Sequence, residues 1–165
     1  METLIIYASK YGCTEDCAVY LKNKLTNGAT LVDVNKMDKR FDISGYGKII
    51  IGGSVYIGKV AKKLRAFCVD NLNGLNDKEV GIFLCCALGE QADEVLANNF
   101  PPELIKNARS VKIFGSEARL EKMGLIDRTL IKAVTKGDFS KFVISHEQMD
   151  EFIKEMDREE VYIID

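Results

Sequence analysis

The feature that most constrains this chain is an alternation. Short, β-branched apolar runs are separated by segments whose apolar residues recur at helical spacing. Leu4-Ile5-Ile6-Tyr7-Ala8 is such a run, and it predicts a strand buried on both faces. Ala29–Val34, Lys48–Gly53, Val80–Cys86 and Val111–Gly115 predict four more. Between them, Cys17, Ala18, Leu21 and Leu25 mark a helix ended by Asn27-Gly28. Val60, Ala61, Leu64, Phe67, Cys68 and Leu72 mark the next. A third is expected from about Gln91 to just before Pro101-Pro102. Leu125–Val134 reads as helical, and Met149, Phe152, Ile153 and Met156 give the last helix a core-facing stripe. Short strands alternating with helices imply βαβ units, so an α/β fold with a parallel sheet, right-handed crossovers and helices on both faces is expected.

No repeat, low-complexity tract or linker divides the 165 residues, which suits one domain spanning 1–165. With 23 basic against 25 acidic residues, the net charge of −2 gives no footprint for nucleic acid. No apolar run approaches the roughly 18 residues a membrane span needs, so only peripheral membrane contact stays open. The first residues carry no basic leader pattern, and a cytoplasmic location is expected. The five cysteines, an odd count without a CxxC pair, predict reduced thiols rather than a disulfide framework. Zinc is poorly supported, because the single histidine, His146, lies far in sequence from every cysteine.

In a parallel open sheet, ligands bind beyond the carboxyl ends of the strands. Ser9-Lys10-Tyr11-Gly12-Cys13-Thr14 follows the first strand. Gly12 can take positive φ, which lets successive amides point into one concavity, and Thr14 can cap the next helix. Ser9 and Thr14 add hydroxyls, and together these groups suit a phosphate monoester. The loop has neither the Walker A spacing nor a GxGxxG glycine set. Taken alone, it could equally be an ordinary βα turn with a Thr cap.

Two further loops should open on the same edge. Gly52-Gly53-Ser54-Val55-Tyr56-Ile57-Gly58 follows the third strand, and Cys86-Ala87-Leu88-Gly89 follows the fourth. They offer an aromatic face at Tyr56 and a small-residue rim, so the three loops suit a flat aromatic ring carrying a phosphate tail. Tyr56 could instead cover the sheet rim, but Ser54 and Gly58 flank it where a ring should lie. A phosphate beside Cys13 opposes its thiolate and argues against catalysis there. Cys85 and Cys86 read as core fillers, and His146 as a surface residue.

At these residues the chain resembles the flavodoxin-like family. Ser9–Thr14 is similar to that family's phosphate-binding loop, with Tyr11 where a threonine is usual. The stretches Tyr7–Thr14, Ile51–Lys59 and Gly124–Lys132 are most similar to flavodoxin-type, menaquinone-dependent protoporphyrinogen oxidases. The resemblance implies a three-layer fold with strand order 2-1-3-4-5. It also implies FMN, with its phosphate on Ser9–Thr14 and its ring between Ser54–Gly58 and Cys86–Gly89. Those oxidases carry a longer basic insertion after strand four, where Leu88–Asn107 here is short and acidic, with Glu90, Asp93, Glu94 and Glu103 against Lys106.

The expected function is therefore an FMN-binding redox protein that transfers electrons to or from a partner protein, or a quinone or other small-molecule donor. No general acid or base of the protein is needed for one-electron transfer. The alternative is an FMN-dependent, quinone-linked protoporphyrinogen dehydrogenase or a related small-molecule oxidoreductase. Lys59, Lys62, Lys63 and Arg65, beside the ring loop, form a basic run that could face such a partner.

Overall fold

A computed structural model describes residues 2–38, 41–87 and 91–158. Strands β1 (Thr3–Ala8), β2 (Thr30–Asp33), β3 (Lys48–Ser54), β4 (Glu79–Cys85) and β5 (Ser110–Gly115) form one sheet. Every neighbouring pair is parallel, as the alternation predicts, and the order is β2-β1-β3-β4-β5, as the resemblance implies. The helices are α1 (Cys13–Lys24), α2 (Lys62–Asp70), α3 (Leu72–Asn76), α4 (Ala92–Asn99), α5 (Pro102–Asn107), α6 (Leu125–Thr135) and α7 (His146–Asp157).

The period-two alternation of the strands sorts the core into two layers. Leu4, Ile6, Ile49, Ile51, Ile82 and Leu84 pack with Leu64, Phe67, Leu75, Leu96 and Leu104 into an aliphatic layer. Ile5, Tyr7, Ile50, Phe83 and Cys85 face the other way, towards Cys17 and Leu21 of α1 and Met149, Phe152 and Met156 of α7. Phe83, Phe114 and Phe152 meet there, with Phe83 and Phe114 stacked at 4.8 Å and Phe152 edge-on to Phe114 at 5.5 Å. Glycine makes this possible. A Cβ on Gly52 would lie 2.2 Å from Phe83, and one on Gly81 would lie 2.6 Å from Phe152.

Two details depart from the sequence reading. Pro101-Pro102 does end α4, but Pro102 also opens α5, because proline's missing N–H and fixed φ suit the first helical turn. Cys86 lies one residue past β4 rather than within it. At that end, pairing of β4 with β5 slips between Leu84 and Cys85. Beyond β5 the chain rises over the carboxyl edge of the sheet through a short 3₁₀ turn (Leu120–Lys122) and α6. It then returns to bridge Gly115 with Ile144. Only glycine fits there, since φ is +82° and a Cβ would stand 2.0 Å from the Val143 carbonyl oxygen. No described helix is long and apolar enough to cross a membrane.

Candidate functional site

The carboxyl ends of β1, β3 and β4, together with α6, enclose a cavity of about 800 Å³. That lies within the usual range for a cofactor-sized ligand. Ser9, Lys10, Tyr11, Cys13 and Thr14 line one side, and Ser54, Val55, Tyr56, Ile57, Gly58, Cys86 and Ala87 line another. The three predicted loops therefore share one space. Leu88 and Gly89 lie outside the described residues.

The first loop is built around Gly12, whose φ of +92° is the positive angle expected of it. One expectation is corrected here. Gly12, not Thr14, is the N-cap of α1, and no side chain caps that helix. The left-handed turn brings the chain into the helix two residues earlier than a threonine cap would, which places Thr14 inside the first turn. The Ser9 hydroxyl instead accepts the Gly12 N–H at 3.0 Å. Thr14 is fully buried, and its Oγ1 has no hydrogen-bond partner although it borders the cavity. A buried hydroxyl left unpaired costs about 1–3 kcal/mol, so such an atom marks a position built for a guest acceptor. Positive charge stands over the same loop. A Cβ on Gly12 would lie 2.9 Å from Arg119 Nη1 and 3.3 Å from Lys122 Nζ. Arg119 also pairs with Asp16 and Glu117, each at 2.6 Å.

The second loop is a tight hairpin in which Tyr56 and Lys59 exchange backbone hydrogen bonds of 2.9 and 3.0 Å. Its central residues, Ile57 and Gly58, have φ of +49° and +69°. Glycine suits that conformation, whereas a β-branched residue is strained in it. Ile57 is 72% exposed, so burial does not compensate the strain. A strained, exposed apolar residue at the cavity mouth is a functional hint.

Asp127, from α6, draws the two loops together. Its carboxylate accepts hydrogen bonds from the Tyr11 and Tyr56 hydroxyls and pairs with Lys10 at 2.9 Å. The hydrogen bonds from Tyr11, then Tyr56 and Lys10, hold its carboxyl well below the usual carboxylate range. The Lys10 ammonium sits 3.3 Å from the Tyr56 ring centroid, a cation–π contact that fixes one face of that ring. Leu130, Ile131 and Val134 of α6 give the cavity an apolar wall. Sequence reasoning found α6 but not its role. The signal was present as an apolar stripe without an evident core partner.

The basic run near this mouth is partly engaged elsewhere. Arg65 Nε donates to the Val60 carbonyl and Lys63 Nζ to the Asn35 carbonyl, while Lys59 and Lys62 are exposed. The cavity thus offers an anion site at one end and, at the other, an aromatic and apolar slot.

The sequence model of the Flavodoxin domain family matches residues 4–143. The chain belongs to the flavodoxin domain family. Oxidised flavodoxin 1 from Bacillus cereus superposes with a TM-score of 0.52 at 14% identity, covering 93% of each chain. A short-chain flavodoxin associated with a PDU bacterial microcompartment gives 0.56 at 16% identity, covering 94% of this chain and 97% of that one. An NADH:FMN oxidoreductase in its apo form gives 0.55 at 14% identity, over 97% and 92%. At such identities the likeness is one of fold. No curated protein matches the chain in sequence.

Proposed function

We propose that this flavodoxin-domain protein binds FMN in the large cavity and transfers electrons through it. The observation that carries the proposal is the buried, unpaired Thr14 Oγ1 at the uncapped start of α1, beneath Arg119 and Lys122. Free amides, a waiting hydroxyl and two cations are the donor set a phosphate monoester requires. The residues present therefore fit the group. Ser9-Lys10-Tyr11-Gly12-Cys13-Thr14 would hold the phosphate. Ser54-Val55-Tyr56-Ile57-Gly58 and Cys86-Ala87-Leu88-Gly89 would border the ring.

Bound FMN supplies the redox chemistry, and the chain's own residues bind, orient and shield. The wall of Leu130, Ile131 and Val134 excludes water and lowers the local dielectric. Asp127 ties together the loops carrying Tyr11 and Tyr56 at the slot. The exposed Ile57 and Lys59 lie where a partner approaches. None of these roles needs a protein acid or base.

One observation favours a second reading, that of an FMN-dependent oxidoreductase acting on a small organic donor and a quinone, as in the protoporphyrinogen oxidases the sequence resembles. Leu125 and Ile126 are 81% and 83% exposed at the start of α6, the helix whose later residues wall the slot. Exposed apolar residues on the helix that walls the slot suit an apolar substrate.

Uptake of one FMN per chain by the flavin-free protein, read by absorption and by the mass of the released cofactor, tests the proposal. Protein that takes up no flavin rejects it. Oxidation of the reduced holoprotein by a soluble quinone, compared with a redox protein, separates the two readings. A rate that falls with salt and with Lys62→Glu marks an acidic protein partner, because steering between charges is screened.

A further inference from the structure

Three sulfur atoms meet behind the phosphate loop. Cys13, Cys17 and Cys85 are all buried, their Sγ atoms lie within 4.8 Å of one another, and Cys17 and Cys85 are 3.8 Å apart. The fold builds this cluster from two elements. Cys13 and Cys17 are one helical turn apart on the same face of α1, and Cys85 ends β4 beneath them. None of the five cysteines is in a disulfide. The redox reading above uses none of these sulfurs.

We propose that Cys13, Cys17 and Cys85 form a three-thiolate site for a soft monovalent metal ion of the copper(I) class. Thiolates about 2.3 Å from a shared ion stand about 3.8–4.0 Å apart, so the observed separations need only a small contraction. Among the described residues no imidazole or carboxylate joins the cluster. A donor set of sulfur alone selects a soft ion. Three donors rather than four disfavour structural zinc, which is almost always four-coordinate. The alternation of the strands also places these sulfurs against Phe114 and Met149, in an apolar shell where water competes poorly as a ligand.

The site has a way in. A separate cleft of about 240 Å³ reaches Cys13 and Cys17 from outside, between α1 and the start of α7. Glu117, Arg119 and His146 stand at its walls. Arg119 lines this cleft with its guanidinium shared between Asp16 and Glu117. Cys13 borders both the cleft and the large cavity, and Cys85 borders the larger one. Binding requires each coordinated thiol to lose its proton to solvent, and no oxidant or reductant takes part.

The test is anaerobic titration of the protein with copper(I) as its acetonitrile complex, against a chromophoric copper(I) chelator. One equivalent should bind, with release of protons and a thiolate-to-metal absorption band. X-ray absorption should show a shell of sulfur alone at about 2.3 Å. Cys17→Ser and Cys85→Ser should each weaken binding by about 100-fold or more, and Cys68→Ala, on the opposite layer, should leave it unchanged. Circular dichroism of the variants verifies folding. If a variant is unfolded, the sulfur-only shell of the unaltered protein decides. Failure to compete with the chelator, a shell containing nitrogen or oxygen, or full affinity in folded Cys17→Ser overturns the assignment.

Discussion

At the end of the large cavity nearest β1, the walls are backbone and buried side chains, whereas at the α6 end they are surface side chains held by charge. Gly12, Cys13 and Thr14 owe their places to a left-handed turn and to packing of α1 on the sheet. Tyr11, Tyr56 and Lys10 owe theirs to one carboxylate, Asp127. The first kind of order cannot relax without repacking the core. The second breaks and re-forms at little cost, because partly exposed ion pairs contribute about 0–1 kcal/mol. Affinity should therefore reside at the phosphate end, and adjustment to ligand and partner at the ring end.

The largest effect is expected from Gly12→Val. A β-branched residue resists φ of +92°, and its Cβ would crowd Arg119 Nη1 at 2.9 Å. Backbone strain of roughly 1–3 kcal/mol should reduce FMN affinity by up to about 100-fold, as fluorescence titration can read. Thr14→Val comes next and has a signature of opposite signs. Removing the unpaired Oγ1 should raise the stability of the flavin-free protein by about 1 kcal/mol in chemical denaturation, while FMN affinity falls about tenfold. A loss of both would show that the hydroxyl has a structural partner.

At the ring end, Ile57→Asn should stabilise the protein by about 1 kcal/mol, since asparagine tolerates the left-handed region that isoleucine resists. FMN affinity should change little, and a slowed reaction with the electron partner would reveal why the strain is kept. Asp127→Asn should have the smallest effect and should alter FMN and riboflavin binding alike. Its pH behaviour follows from the lowered carboxyl. The contribution of the Tyr11–Asp127–Tyr56 contact is fully present above the unfolded carboxylate range, near pH 4. It is lost only as pH falls through the lowered folded value. Near-ultraviolet circular dichroism of the tyrosines should therefore stay constant through about pH 4 in the unaltered protein and change only below it, a change that Asp127→Asn, having no carboxyl there, should lack.

The same contrast explains what was legible in the sequence. The sheet was, because its central strands β1, β3 and β4 are apolar runs and the glycine loop after β1 is local in the chain. The Thr14 cap was misread for a local reason. Sequence shows a threonine two residues after a glycine, but only the dihedral angle tells which of the two starts the helix. The ring end was hidden because its parts are distant, with Asp127 lying 116 positions from Tyr11 and 71 from Tyr56. The sulfur cluster was half visible. Cys13 and Cys17 at helical spacing share a face, but Cys85 joins them only once the sheet order brings β4 beneath α1.

The turn after β1 should hold the phosphate of FMN. Calorimetric titration of the flavin-free protein with FMN and with riboflavin tests it directly, because the two ligands share the ring and differ only in that group. FMN should bind at least about 30-fold more tightly, about the worth of one charge-assisted hydrogen bond. The advantage should shrink to about threefold in Thr14→Val, with riboflavin affinity unmoved. Equal affinity for the two ligands in the unaltered protein would contradict the account.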